Sequence, residues 1–255
     1  MFNLLEIEHS VLNLIGPIDT MPNSMNLQLK LGVNQTFTKR EQTKQKIFRT
    51  AIVLFQKEGY ETTTMRMIAK EAKVSLGLTY YHFQSKEDLV LEFYKSSQKE
   101  LIRQSESFFK TTKDFKARYK FIVTTQLELF SHHKKFLQVL ARQAGDPTYP
   151  LSPFSSESES LREEAVGIIR FAMMSSNSKL REDLSKVLPD LLWMQQMGIL
   201  FFWLSDPSKS FQNTKLMIHD SLDLTFKLIK LSNFPLFKSV MGPIFRMVKL
   251  AKLKS

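Results

Sequence analysis

The 255-residue chain contains no cysteine, and this absence excludes several kinds of chemistry. Without cysteine there is no disulfide framework, no thiolate nucleophile and no metal–thiolate site. The lack of disulfides fits a reducing compartment. Glycine and proline are also scarce, at 8 and 9 residues, and no segment alternates apolar and polar residues in the manner of a β-strand. We therefore expect an all-α protein.

The sequence also lacks the short motifs of common enzyme classes, such as a Gly-rich phosphate loop or a Gly-x-Ser-x-Gly nucleophile turn. Glu163, Glu164 and Asp183 show no general acid–base pattern, and we expect them to face solvent. His132 and His133 are poorly spaced for a metal site on one helix face, so we expect two solvated residues at a helix start. The sequence predicts no catalytic residue, no metal and no cofactor.

No uninterrupted apolar run approaches the roughly 20 residues that span a bilayer. Glu6 and Glu8 stand where a secretory signal would carry its positive charges. The expected location is therefore the cytoplasm.

The formal net charge is +11 and the sequence pI is about 9.7, which favours a polyanionic partner such as nucleic acid or an anionic membrane surface. Residues 39–95 hold eleven basic and seven acidic residues, and residues 226–255 hold seven basic and no acidic ones. Residues 1–38 are weakly periodic and slightly acidic. We predict a flexible N-terminal arm over residues 1–38, with Met21 or Met25 as alternative starts.

From about Arg40 onward, apolar residues recur at helical spacing. Gly59 is expected to end the first helix, because glycine adopts the left-handed conformation that follows many helices. Thr64, Ser75 and Ser85 are suited to cap the next three helices. The predicted helices are Met65–Ala72, Leu76–His82, Lys86–Phe109, Asp114–Ser131, His133–Ala144, Leu161–Ser175, Pro189–Leu204 and Pro207–Leu231, with a long loop over residues 145–160.

Residues 62–83, TTTMRMIAKEAKVSLGLTYYHF, have the pattern of a helix-turn-helix, which places its second helix in the major groove of DNA. Met65, Ile68, Ala69 and Ala72 share one face of the first helix and are expected to be buried.

The second helix of this motif is expected to divide into an inner and an outer set of residues. Val74 closes the turn, and Tyr80 and Phe83 are predicted to anchor the helix to the core. The residues then left near the surface are Leu76, Gly77, Leu78, Tyr81 and His82.

Residues 42–94 resemble the DNA-binding domain of the tetracycline-repressor (TetR) family of bacterial transcription regulators. The stretches AIVLFQKEGYETTTMRMIAKEAKVS and GLTYYHFQSKEDLV carry its Gly-Tyr pair and its Tyr-His-Phe-x-x-Lys run in order. The resemblance implies an N-terminal three-helix helix-turn-helix domain over residues 39–95. A helical-bundle domain for ligand binding and dimerisation would follow over residues 96–234. Residues 235–255 place Lys and Arg among apolar residues, and this pattern predicts a basic amphipathic tail.

The resemblance also implies which residues contact DNA. Thr64 and Arg66 open the second helix, where they would reach phosphate or a guanine edge. Gly77 would let the recognition helix approach the groove, and Tyr81, His82 and Lys86 would bind phosphate. The complete predicted set is Thr64, Arg66, Ser75, Leu76, Gly77, Leu78, Tyr81, His82 and Lys86.

One departure from the family pattern concerns Leu78 and Thr79, where a DNA-facing polar residue usually precedes a core-facing apolar one. We expect the Thr79 hydroxyl to be buried and to donate a hydrogen bond to the carbonyl oxygen of Ser75. Leu76 and Leu78 would then present methyl groups to thymine. The hypothesis is that base recognition depends on apolar contacts and on Arg66.

Large, soft side chains are concentrated near residues 193–203. They fit a protein core or a subunit interface, and they equally fit an adaptable apolar ligand pocket. Helices near residues 189–204 and 207–231 are the expected homodimer interface. The predicted pocket residues are Met173, Trp193, Met197, Phe201 and Met217.

The sequence as a whole predicts a dimeric transcriptional repressor that binds a double-stranded DNA operator and is released by a small apolar effector. The alternative is a helical lipid-sensing or membrane-associated binding protein whose DNA-binding role is lost or secondary. The basic tail fits a helix that packs on the regulatory domain, a weak contact with an anionic membrane, or an added phosphate contact.

Overall fold

The computed structural model describes residues 38–232 and 242–243. The described residues form nine α-helices and no β-strand, which confirms the all-α prediction. The predicted arm over residues 1–38 lies outside them apart from Thr38, as does the predicted tail over residues 235–255 apart from two residues. The helices are α1 (Lys39–Lys57), α2 (Met65–Glu71), α3 (Leu76–His82), α4 (Lys86–Phe109), α5 (Phe115–Ser131), α6 (Lys134–Ala141), α7 (Glu159–Met174), α8 (Glu182–Ser205) and α9 (Gln212–Leu231).

The chain divides into two units, residues 1–46 and residues 47–255. In the first unit, the Thr38 amide donates to the Glu41 carboxylate at 2.8 Å, and the Glu41 amide donates to the Thr38 hydroxyl oxygen at 3.2 Å. This reciprocal pair is a capping box that starts α1. All further features described below lie in the second unit.

Local capping explains why the helices of the predicted helix-turn-helix begin where they do. The hydroxyl oxygens of Thr64, Ser75 and Ser85 each accept from the backbone amide three residues on, at 3.1 to 3.2 Å. Asp88 completes a capping box by accepting from the Ser85 amide. Gly59 has φ +93° two residues beyond α1. The predicted caps are therefore confirmed.

The start of α8 differs from the prediction. This helix begins at Glu182, so Pro189 lies in its interior and not in its first turn. Glu182 and Asp183 supply the negative charge that favours a helix N-terminus, and the Asp183 carboxylate accepts from the Leu184 amide at 2.8 Å. These local interactions outweigh the proline signal.

The start of α9 also differs, because α9 begins at Gln212 and not at Pro207. A short 3₁₀ helix, Lys209–Phe211, intervenes, and its last two residues have φ +54°. The buried Asp206 carboxylate accepts from the backbone amides of Ser208 and Thr214, both at 2.9 Å. Asp206 thus satisfies the Thr214 amide, which lies in the first turn of α9 and has no partner within that helix, and also the Ser208 amide before the 3₁₀ helix.

The helices from α4 onward form a bundle in which α4 packs against α5 and α7, and α8 packs against α6, α7 and α9. Within the described part of the chain, α8 is the one helix long and apolar enough to cross a membrane by length and composition. Leu188, Leu192, Ile199 and Trp203 of α8 are buried in the bundle. These buried positions account for part of the apolar composition of α8.

Arg118 is buried and joins three parts of the bundle. Its guanidinium donates to the backbone oxygens of Phe109 at 2.6 Å, Thr112 at 2.8 Å and Ala172 at 3.1 Å, and to the Ser175 hydroxyl at 2.8 Å. Phe109 and Ala172 lie in the last turns of α4 and α7, where helix carbonyls are otherwise unsatisfied. The positive charge therefore meets the negative ends of two helices.

Candidate DNA-binding surface and effector cavity

The inner face of the helix-turn-helix is largely as predicted. Met65, Ile68, Ala69 and Ala72 are buried, as is Phe83, while Val74 packs half-buried against the same core. These contacts hold α2 and α3 in the arrangement that a recognition helix requires.

Tyr80 is not a core anchor, because it is 46% exposed. Thr79 and Phe83, one helical turn apart, occupy the inner face of α3, and both are buried. Tyr80 lies one residue further round the helix, which turns its side chain outward. The Thr79 hydroxyl donates to the Ser75 carbonyl oxygen at 3.1 Å, which confirms the predicted hydrogen bond.

The turn between α2 and α3 depends on a residue that the sequence analysis missed. Lys73 has φ +52°, and the Val74 amide donates to the Ala69 carbonyl oxygen at 3.0 Å. This is the hydrogen bond that closes a Schellman motif, in which glycine is the usual left-handed residue. Lysine gives no local sequence signal for that conformation.

Six of the nine predicted DNA-contact residues are exposed: Thr64, Arg66, Ser75, Gly77, Leu78 and Tyr81. No atom of the described residues lies within 4 Å of a Cβ built on Gly77, so packing among these residues does not require glycine there. The missing side chain instead leaves room on the outer face of α3. An exposed leucine, Leu78, lies close by in the same helix.

The other three predicted contact residues, Leu76, His82 and Lys86, are half-buried. Leu76 packs against the core, so its expected outward position is wrong in part. The Lys86 ammonium donates to the carbonyl oxygen of Tyr60 at 2.7 Å and to that of Glu61 at 3.3 Å. It therefore fixes the turn that precedes α2, and its predicted phosphate contact stays a prediction.

Aromatic rings connect the helix-turn-helix region with the bundle. Phe55 of α1 stacks on Phe136 of α6 with ring centroids 5.3 Å apart, and Phe93 of α4 lies 5.6 Å from Phe130 of α5. Tyr60 contacts both Phe55 and Phe136, and its hydroxyl donates to Glu87. We call Phe55, Tyr60, Phe93, Phe130 and Phe136 the aromatic joint.

His133 lies beside the aromatic joint and is only 1% exposed, so the prediction that it is solvated is wrong, whereas His132 is exposed as predicted. The Gln56 amide nitrogen lies 2.7 Å from His133 Nδ1 and also donates to the His132 carbonyl oxygen. Nδ1 therefore accepts, and Nε2 carries the proton. Burial, followed by repulsion from His132, lowers the pKa of His133 to about 4.

The three acidic residues that were expected to face solvent differ in exposure. Glu163 and Glu164 are exposed, as predicted. Asp183 is half-buried and forms an ion pair with Arg181. Among the residues that the structure describes, no group of three or more His, Asp or Glu side chains is placed to bind a metal ion.

A cavity of about 130 Å³ lies inside the bundle, lined by α4 to α8 and by the loop between α6 and α7. Three predicted pocket residues, Trp193, Met197 and Phe201, line it. Met173 and Met217 do not: Met173 is buried elsewhere in the core, and Met217 is exposed on α9. Helical spacing cannot distinguish these positions, because it does not fix which neighbours a face meets.

The cavity wall is mainly apolar but includes several polar side chains that the sequence analysis did not select. They are Tyr94 and Gln98 of α4, Gln126 of α5, Gln196 of α8, Ser158 at the end of the loop and Arg162 in the first turn of α7. The spacing of Tyr94 and Gln98, four residues apart, places both on one face of α4. The Arg162 guanidinium donates to the loop carbonyl oxygens of Pro153 and Ser155.

The fold and the exposed face of α3 define a helix-turn-helix regulator, and comparisons with known families agree. A family model described as bacterial regulatory proteins, tetR family, matches residues 47–93, and one described as a tetracyclin repressor-like C-terminal domain matches residues 118–250. The chain belongs to the tetracycline-repressor family of transcription regulators, which are DNA-binding proteins and generally not enzymes.

Individual relatives support the same family. YerO, an uncharacterized HTH-type transcriptional regulator of Bacillus subtilis (strain 168), is 36% identical over 100 residues, which cover 38% of this chain and 34% of YerO. The chain thus spans about a third of the length of this curated relative.

Two solved structures show the fold at greater coverage. FadR from Bacillus halodurans, a fatty acid degradation regulator, has a TM-score of 0.56 at 15% identity over 74% of this chain and 96% of that one. FadR from Thermus thermophilus, a repressor solved with lauroyl-CoA, has a TM-score of 0.52 at 17% identity over 75% and 95%. At such identities the likeness establishes the fold.

Proposed function

We propose that this protein is a dimeric, cytoplasmic transcriptional repressor that leaves its operator when a small apolar effector enters the bundle cavity. The observation that carries the proposal is the course of α4. This helix begins at the Ser85 cap, directly after the helix-turn-helix, and contributes Tyr94 and Gln98 to the cavity wall. One continuous helix therefore connects the candidate DNA surface with the candidate effector site.

The mechanism is a shift between two conformations of the dimer. An effector that fits the cavity better in one position of α4 favours that position, and α4 carries the helix-turn-helix with it. The distance between the two recognition helices then no longer matches the two half-sites. A difference in effector affinity worth about 1 to 3 kcal/mol is the usual size of such coupling.

An exposed apolar stripe on α9 supports the dimer. Met217, Leu224, Leu228 and Leu231 are exposed and recur with Ser221 at alternating spacings of four and three residues. This is the pattern that pairs helices in bundles, and α8 packs beside α9.

Exposed residues of α8 extend the same dimer surface. Met194 is exposed, and so is Gly198 one turn later. Within the described part of the chain no atom lies within 4 Å of a Cβ built on Gly198, which leaves room for a partner helix to approach closely. We propose that α8 and α9 of two chains form the two-fold interface.

The apolar cavity wall supports an apolar effector. The Thermus thermophilus repressor binds lauroyl-CoA in its structure, so a related fold accommodates an apolar acyl chain.

Selection of bound fragments from a genomic DNA pool, followed by titration at several salt concentrations, tests the proposed operator binding. We expect log affinity to fall steeply with log salt concentration, because phosphate contacts release counterions. A protein that binds anionic liposomes but shows no salt-dependent DNA binding would support the lipid-sensing alternative. The membrane contact predicted for residues 235–255 stays a prediction.

Two variants test the proposed base recognition by Leu78 and Arg66. Leu78→Ala should lower operator affinity and weaken the preference for thymine at one position by about 1 kcal/mol, and Arg66→Ala should cost about 1 to 3 kcal/mol. Met174→Ala, which changes an exposed apolar residue at the end of α7, is the control. Unchanged affinity and base preference in Leu78→Ala would contradict the apolar readout.

A further inference from the structure

Two buried amide groups in the cavity wall lack partners. Gln98 is 7% exposed and Gln196 is 4% exposed, and both line the cavity. Gln98 Nε2 and Gln196 Oε1 have no hydrogen-bond partner within the described part of the chain. Buried polar groups are nearly always hydrogen-bonded, so each of these two atoms calls for a polar partner from outside the described residues.

The two atoms are complementary in their requirements. Gln98 Nε2 is a donor and needs an acceptor, whereas Gln196 Oε1 is an acceptor and needs a donor. A hydroxyl group is the smallest group that can accept one hydrogen bond and donate another.

The charges of the wall favour a neutral molecule. Arg162 is the one charged side chain among the described residues that line the cavity, and its guanidinium is directed to loop carbonyl oxygens. Among the same described residues no carboxylate is present to receive a cation, which would lose its hydration without a matching partner. An anion would share the Arg162 guanidinium with the two loop carbonyl oxygens.

The cavity is partly open, and its volume sets the size of the group that it can enclose. Its 130 Å³ is slightly less than the roughly 150 Å³ of an engineered apolar cavity that binds benzene. A single aromatic ring or a short alkyl chain is therefore the appropriate size.

We propose that the effector is an uncharged phenol or alcohol about the size of one aromatic ring, whose hydroxyl accepts from Gln98 Nε2 and donates to Gln196 Oε1. The inference rests on the proposed function, because it specifies the effector of that same cavity. Gln98 belongs to α4, so the hydroxyl contact acts on the helix that leads to the DNA surface.

Calorimetry with the full chain and a series of matched probes tests the proposal. The probes are 4-ethylphenol, ethylbenzene, 4-ethylbenzoate and 4-ethylbenzylammonium. We expect 4-ethylphenol to bind about ten- to a hundredfold more tightly than ethylbenzene, because the hydrocarbon leaves both amide groups unpaired. The two charged probes should bind more weakly than 4-ethylphenol.

Leucine variants test whether Gln98 and Gln196 of the cavity wall cause the preference for 4-ethylphenol. Gln98→Leu and Gln196→Leu should each lower 4-ethylphenol affinity about tenfold and reduce the preference over ethylbenzene. Gln104→Leu, on the same helix as Gln98 but away from the cavity, is the matched control. If leucine disturbs folding, as judged by thermal unfolding, Gln98→Met and Gln196→Met replace it.

Equal affinity for 4-ethylphenol and ethylbenzene, a preference for a charged probe, or no binding of any probe would overturn the inference. So would a phenol preference that both cavity variants retain. Operator affinity is measured in the same samples without probe. A chain that binds its operator but fails the probe series contradicts this inference alone, whereas a chain that binds no DNA contradicts the proposed function.

Discussion

The amide nitrogen of Gln56 lies 2.7 Å from Nδ1 of His133, linking α1 to the residue that precedes α6. The His133 ring also meets the Phe93 ring of α4 edge to face, with centroids 4.8 Å apart. Three helices thus meet at one neutral imidazole. Protonation of His133 would place a positive charge against a donor, so this contact requires the neutral ring.

Acid should weaken the fold through His133. Its pKa is about 4 in the folded chain against 6.5 for an ordinary histidine. Below pH 6.5 the unfolded chain therefore binds a proton that the folded chain does not, and stability falls as the pH drops from about 6.5 towards 4. The contribution is about 2 kcal/mol by pH 5, measurable by urea unfolding at pH 7.5 and pH 5.

Two histidine variants separate this effect from the titration of other groups. His133→Gln cannot titrate and should show a smaller loss of stability on acidification, even if it is less stable at pH 7.5. His132→Gln changes an exposed neighbour and should keep the wild-type pH dependence. Identical pH dependence in wild type and His133→Gln would show that His133 is not the titrating group.

Lys73→Gly should stabilise the helix-turn-helix. Lys73 has φ +52°, a conformation that costs a residue with a Cβ about 1 kcal/mol or more and that glycine adopts freely. Glycine also gives the unfolded chain more conformational freedom, which offsets part of this gain. We therefore expect the free energy of unfolding to rise by about 0.5 kcal/mol. Thermal unfolding measures it.

Lys70→Gly supplies the matched control, because Lys70 lies within α2. Glycine in a helix costs about 0.5 to 1 kcal/mol relative to alanine, so this variant should be less stable. If both glycine variants lose stability equally, the left-handed strain at Lys73 is not significant.

Arg118→Met should destabilise the bundle strongly. The substitution keeps an unbranched apolar stem but leaves the carbonyl oxygens of Phe109 and Ala172 without their donor. Each buried carbonyl oxygen that is left without a donor costs about 1 to 3 kcal/mol. Arg170→Met, at an exposed position of α7, should change the urea midpoint very little. Similar midpoints for the two variants would show that Arg118 does not stabilise the bundle.

Leu224→Glu combined with Leu228→Glu should separate the subunits. Both side chains lie on the exposed stripe of α9, and a pair of carboxylates at a two-fold interface faces two more from the partner chain. Analytical ultracentrifugation should show a monomer where the wild type is a dimer. Lys215 is also exposed on α9 but lies on the face of the helix opposite Leu224, so Lys215→Glu should remain dimeric. A monomeric wild type would contradict the interface itself.

The helix-turn-helix could be predicted closely because its signals are local. A cap such as Ser75 acts through a hydrogen bond to an amide three residues away, and Gly59 acts through its own φ angle. Neither depends on the rest of the fold. The prediction for Tyr80 failed because its burial depends on the rest of the fold. Thr79 and Tyr80 are neighbours on a short helix, and only the packing of that helix decides that Thr79 faces the core and Tyr80 does not.

The bundle was harder to predict because its important residues gain their roles from distant neighbours. His133 is buried by helices whose approach no local pattern specifies, and Gln98 resembles an ordinary polar residue of a solvated helix. The helix predicted to begin at Pro189 begins at Glu182, because the acidic residues there favour a helix start more strongly than the preference of proline for a first turn. Met217 shows the same limit, because its stripe faces outward and not into the cavity.

The apolar character of α8 on several faces has an evolutionary consequence. Its residues Trp193, Met197 and Phe201 line the cavity, while Met194 and Gly198 between them are exposed. Under the proposed function, a duplicated gene that changes this helix to recognise another effector also changes the proposed dimer surface. The same substitutions in α8 would then give two paralogues different effector preferences and prevent them from forming heterodimers.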